Sequence, residues 1–228
     1  MSSTTHLLPL FPLPMVQFPG AITPLHIFEP RYRNLLADVM ASDKSFGIIY
    51  TSDESPAGSS TPPPGRIGCA VEVVAAEELP DGRSNILCLG SRRFRALEYV
   101  ESESYLQAEV EFFDDEPDLR DLTEEVTRAV GLFKRVLAAG RLLKDGGRTV
   151  AEIVDLPGDP QSVSCIVSSY VDIELTEKQA LLELVDSGER LRRVIELLER
   201  LVIDYERRAF VHELSRNNGH GGPVPERF

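Results

Sequence analysis

FPLPMVQFPGAITPLHIFEPRYRNLL, residues 11–36, decides how the rest of the chain is read. Its short apolar runs are cut by Pro12, Pro14, Pro19 and Pro24. Proline has no N–H and a fixed φ, so these runs predict edge or irregular strands rather than a central strand or a helix interior. Gly20 lets the chain turn between Pro19 and Ala21. Beyond Pro24 the pattern becomes helical. Tyr32, Leu35, Leu36 and Val39 recur at three- and four-residue spacing, with Arg31, Arg33, Asn34 and Asp38 on the opposite side. Pro30 suits the first turn of that helix, where its missing N–H costs nothing.

On either side of this stretch the signals are those of strands. Residues 1–6 read as a loose leader, and Leu7 to Phe18 as short strands. FGIIYT (46–51) predicts a buried strand. SDESPAGSSTPPPG (52–65) is rich in Ser, Pro and Gly, has no periodicity, and reads as a surface loop. RIGCAVEVVAAEEL (66–79) predicts a long strand, Pro80 to Arg83 a turn, and Asn85 to Gly90 the returning strand of a hairpin. RRFRALEYV (92–100) and YLQAEVEFF (105–113) alternate as two further strands. About six short, mostly antiparallel strands with one inserted helix suggest a closed or nearly closed barrel, which removes exposed edges.

The composition changes at Asp114-Asp115-Glu116-Pro117. Beyond it Leu122, Val126, Val130, Phe133 and Leu137 form one helical stripe, ended by Gly140. Thr149-x-x-Glu152, Thr176-x-x-Gln179 and Asp186-x-x-Glu189 each fit a capping box, and Asp159-Pro160 fits an N-cap followed by proline at the first helical position. The last helix runs from about Glu189 to Leu214. Leu191, Val194, Leu198, Leu201, Val202, Tyr205 and Ala209 make its stripe, and Glu189/Arg193, Glu196/Arg200 and Asp204/Arg208 its outer ion pairs. The expected fold class is therefore α+β. An antiparallel β-barrel subdomain with one inserted helix (6–116) precedes a helical bundle ending in a long helix (117–214), and 215–228 form a disordered tail.

The chain has 228 residues and a net charge of −13. Residues 1–117 carry a net −9 and the rest −4, so neither half is basic, and nucleic acid and anionic membrane are poor partners. Cys69, Cys88 and Cys165 form no CxxC pair, which argues against a disulfide framework or a structural zinc site. Cys69 and Cys88 sit in apolar runs and read as small buried hydrophobes. The N-terminus lacks the basic region of a signal peptide, and no run of 18 apolar residues exists, so a cytoplasmic location is expected.

Catalytic motifs are missing. None of Lys44, Lys134, Lys144 and Lys178 follows a glycine, so there is no P-loop. No serine is flanked as in GxSxG, and His6, His26, His212 and His220 make no metal-ligand spacing. One polar cluster stands out: His26, Glu29, Arg31 and Arg33. His26 could serve as a base with the arginines as anion clamps. The plainer reading has Glu29 favouring the helix start and the arginines solvated. Arg93 and Arg95 share a strand face, and cross-strand pairing with Glu109 or Glu111 is their expected use. No catalytic residue, metal or cofactor is expected.

Four motifs in order carry a family resemblance. LPLFPLP and FPG with PLHIFEPRYRNLL, IGCAVEV, LGSRRFRAL, and KQALLELVDSGERLRRVIELLERLV resemble the Lon protease N-terminal, substrate-binding domain over about residues 6–213. The resemblance implies a PUA-like barrel and a helical second half. It also implies a stand-alone member lacking the ATPase and protease domains. The implied function is a non-enzymatic protein- or peptide-binding module in protein quality control. Its partners would be unfolded or hydrophobic protein segments and an ATP-dependent protease. The candidate contacts are exposed side chains near the junction of the two halves: Phe11, Phe18, Phe28 and Tyr32, with Glu29, Arg31 and Arg33 supplying charge. Core packing is the alternative use of each aromatic. Two other functions stand beside this one. A PUA-like barrel could bind RNA or a modified nucleotide, but that needs a basic face with stacking aromatics, and the barrel half is acidic. A small hydrolase would need a site that no motif reveals.

Overall fold

In a computed structural model, the structure describes residues 5–52, 61–101, 104–116, 118–143 and 156–218. Six strands come first, β1 (His6–Leu13), β2 (Ile22–Ile27), β3 (Ser45–Tyr50), β4 (Ile67–Glu78), β5 (Ser84–Glu101) and β6 (Leu106–Phe113), with α1 (Pro30–Met40) between β2 and β3. Then follow α2 (Thr123–Leu143), α3 (Pro160–Tyr170), α4 (Leu175–Glu183) and α5 (Ser187–Asn218). The fold is mixed α+β.

The strands pair in the order β2-β5-β4-β3-β1-β6, and β6 pairs again with β5. The contacts are antiparallel except β1 with β3, which run parallel. β5 makes the return possible by its length. The two expected strands 85–90 and 92–100 are one continuous strand of 18 residues. Its first half lies between β2 and β4, and its second half between β4 and β6. Gly90 sits where the strand passes so close to the Phe18 carbonyl that any Cβ would collide with it. β2 pairs with β5 alone, so it is an edge strand, and Pro24 in it has no N–H to offer a neighbour.

Two apolar clusters fill the strand half. One lies under α1, where Tyr32, Leu35, Leu36 and Val39 meet Phe11, Phe46, Val71 and Cys88. The other gathers Leu10, Ile49, Phe94, Ala108 and Val110. A third cluster belongs to the helices, but Val16, Phe18, Ala21 and Ile67 from the strand half are part of it. The two halves thus share a core. Of the expected stripe, Leu122, Val126 and Phe133 are buried and Val130 and Leu137 half-buried; Ala129, Val136 and Ala139 complete the inward face of α2, and Gly140 does not end that helix. Asp159 caps α3 through Ser162 N at 2.8 Å, and Asp186 caps α5 through Glu189 N at 2.8 Å. Thr176 caps nothing: α4 starts one residue earlier, after Glu174, and Gln179 instead donates to the Ile67 carbonyl. The Thr149-x-x-Glu152 box and the segment 53–60 fall outside the described residues. The expected tail at 215 is still helix as far as Asn218, and β1 already begins at His6.

Candidate functional site

The residues singled out by sequence scatter between core and surface. Phe11 is 6% exposed and packs on Tyr32 with ring centroids 3.8 Å apart; Tyr32 is 3% exposed. Phe18 is fully buried in the helical core. These three rings support the surface from behind and cannot touch a partner from where they lie. Phe28, by contrast, is 58% exposed, and it stacks beside His26 at 6.0 Å. Glu29 precedes α1 and makes no side-chain cap; its carboxylate binds Arg31 at 2.6 Å, and the Arg31 guanidinium covers the Tyr32 ring. The Arg33 guanidinium lies over Gly82, in the turn between β4 and β5. His26 Nδ1 is 2.8 Å from Asn85 Oδ1. The four polar side chains therefore point to separate neighbours rather than converging on a reacting atom.

Beside the shared apolar core, the junction of the two halves holds a buried ionic cluster. Arg93 and Arg190 both bind Asp115, with side chains 2%, 0% and 4% exposed. Arg93 also donates to the Leu182 carbonyl at 2.8 Å, and Arg190 to Ser164 Oγ at 2.9 Å and the Leu184 carbonyl at 2.7 Å. Arg93 thus turns toward the helices and does not pair across the sheet with Glu109 or Glu111; Arg95 stays exposed opposite Glu111. Sequence reasoning missed Asp115 and Arg190. The signal for Arg190 was its place four residues before Val194, on the inward stripe of α5. A neighbouring cavity of about 370 Å³ is lined by Asp115, Glu116, Asp118, Asp121 and Asp159, with Arg120 bound to Asp118 and Asp186. Leu122, Val126 and Pro160 add apolar surface to this largely acidic lining.

Exposed apolar side chains lie on α2 and the end of α5, among them Leu142, Phe210 and Val211, and on the outer face of β2, β5 and β4. Residues opposite one another in a ladder share a face. Pro24 stands opposite Leu87, and Leu87 opposite Ala75. Val74 projects from the irregularity between Val73 and Ala75. Ile22, Val74 and Leu87 are 52%, 50% and 41% exposed. A groove of about 450 Å³ lies along the strip of Pro24, Ala75 and Leu87, with His26, Asn85 and Glu77 in its lining. The pleat explains the strip: Ile86 and Cys88 turn inward to the core under α1, which sends Leu87 outward. Contiguous exposed apolar surface of this kind marks interaction sites on soluble proteins.

The solved Lon N-terminal domain protein from Xanthomonas campestris superposes with a TM-score of 0.61 at 25% identity, covering 84% of this chain and 98% of that one. The N-terminal domain of the Mycobacterium avium complex Lon protease superposes at 0.59 with 19% identity, a likeness of fold. Lon protease of Syntrophus aciditrophicus is 29% identical over 82% of this chain, and Lon protease 2 of Myxococcus xanthus 26% identical over 85%. The chain spans about a quarter of the length of these relatives, 24% and 23%. A model of the ATP-dependent protease La (LON) substrate-binding domain matches residues 7–200, and the chain belongs to that family.

Proposed function

We propose that this chain is a non-enzymatic recognition module that holds apolar segments of other proteins on the outer face of β2, β5 and β4. The carrying observation is the row Pro24, Leu87 and Ala75, continuous by ladder register, with exposed Ile22 and Val74 on the same strands. Phe28 extends it at the β2 end, with Glu29, Arg31 and Arg33 at its rim; Phe11, Phe18 and Tyr32 are its scaffold. The strand pairing that returns from β6 to β5 supports a PUA-like barrel for residues 6–116, and the mutual packing of α2, α3 and α5 supports a helical bundle for 117–214. The family supports service in protein quality control in the cytoplasm, with unfolded segments as clients and an ATP-dependent protease as the partner that consumes them.

A permanently unfolded, alkylated protein titrated against the chain tests this reading. Leu87→Asp places a charge in the middle of the strip without touching the core. It is expected to weaken binding at least tenfold, as loss of a central apolar anchor does. Failure of the native chain to bind, or equal binding by Leu87→Asp, overturns the reading.

A further inference from the structure

Two carboxylates bracket the apolar strip. The ladders set three rows across the outer face: Ile22–Leu89–Glu72, Pro24–Leu87–Ala75, and His26–Asn85–Glu77. Glu72 lies between buried Val71 and Val73, so it points outward with Leu89; Glu77 is exposed beside Asn85. The apolar row lies between them. The two glutamates are five residues apart on β4, roughly 15 Å at about 3.3 Å per residue with an irregularity between. Neither has an ion-pair partner among the described residues. The cations near them are engaged or turned away: Arg31 binds Glu29, Arg83 binds Asp81 at 2.6 Å, and Arg33 lies over Gly82. The Lys44 carbonyl accepts from Val73 N, and its ammonium pairs with no carboxylate among the described residues.

We infer that the strip selects extended apolar segments carrying a lysine or arginine at each end, four to six residues apart, with Glu72 and Glu77 as the two charge contacts. This rests on the strip being the binding surface. Apolar burial gives affinity without register. Charges at fixed spacing supply the register, reject acidic segments and speed encounter with basic ones. An exposed pair is worth about threefold in affinity, so two together give about tenfold at low salt.

Three fluorescein-labelled ten-residue peptides with one shared apolar centre, and Lys, Gln or Glu at two positions five apart, test this on the full chain. The Lys peptide is expected to bind about tenfold tighter than the Gln peptide, and the Glu peptide weakest, with the differences shrinking in 0.5 M salt as screening grows. The variant Glu72→Lys/Glu77→Lys is expected to invert the order. Equal binding of the Lys and Gln peptides, abolished by Leu87→Asp, overturns the charge selection and leaves the strip standing. No binding by any peptide overturns both. A dimer that Leu87→Asp dissociates also overturns the inference, because a second copy would then be the occupant.

Discussion

Asp115 is one carboxylate held between two guanidiniums, and all three side chains are almost wholly out of water. Backbone carbonyls of Leu182 and Leu184 and the Ser164 hydroxyl take up the remaining N–H groups of Arg93 and Arg190. Such a cluster adds little net stability over an apolar one, but losing one member leaves a buried charge uncompensated. Asp115→Asn is therefore expected to cost about 3–5 kcal/mol in urea unfolding. Arg92→Gln, which breaks the exposed pair with Asp114 and the contact over the Phe112 ring, should cost about 1 kcal/mol. The cysteines make a second prediction. All three are buried and free, and burial raises the thiol pKa of Cys69 and Cys165 and pushes that of Cys88 up to about 12. A raised folded pKa contributes stability that is intact below the unfolded value of about 8.5 and is lost as pH rises through the folded one. Stability should thus fall between about pH 8.5 and 12. At pH 8 a thiol reagent should leave the native chain unmodified and react with three thiols after unfolding.

At the level of elements, α1 shows what periodicity can reveal. Its four inward residues were legible from spacing alone, and Pro30 occupies the first turn as its chemistry demands. The α5 stripe was legible for the same reason, though Arg200 reaches Glu177 on α4 rather than Glu196. β5 was not legible as one strand. Gly90 looks like punctuation in sequence, whereas its role is to admit the Phe18 carbonyl, a contact between residues far apart in the chain. The buried Arg93 was read as a surface pair because alternation assigns a face but not what covers that face, and here the covering helices come some ninety residues later. Strand pairing also sets limits on substitution. Gly68 lies opposite Phe94, and a Cβ on it would meet that ring at 2.5 Å and the Ile48 carbonyl at 2.7 Å. Gly68→Ala should cost about 1–3 kcal/mol by overpacking, measurable as a lowered denaturation midpoint with unchanged slope.

For the molecule as a whole, the proposed site lies away from the boundary where sequence composition changes. Aromatics near residue 20 drew attention because they are large, yet Phe11, Phe18 and Tyr32 are core, and the open face consists mainly of smaller apolar side chains on β2 and on the β4–β5 hairpin far from it in sequence. Only the sheet register sets Pro24 opposite Leu87 and Leu87 opposite Ala75, a neighbourhood that spacing along the chain does not reveal. The shared core and the Arg93–Asp115–Arg190 cluster tie the strands to the helices, giving that face a fixed support. The most direct measurement is a map of backbone amide shifts by nuclear magnetic resonance as an unfolded client is titrated into the labelled chain. The account predicts perturbations concentrated at residues 22–28, 72–77 and 85–89, absent in Leu87→Asp. Perturbations centred instead on the acidic junction cavity or on the exposed end of α5, with 22–28 and 85–89 silent, would contradict it.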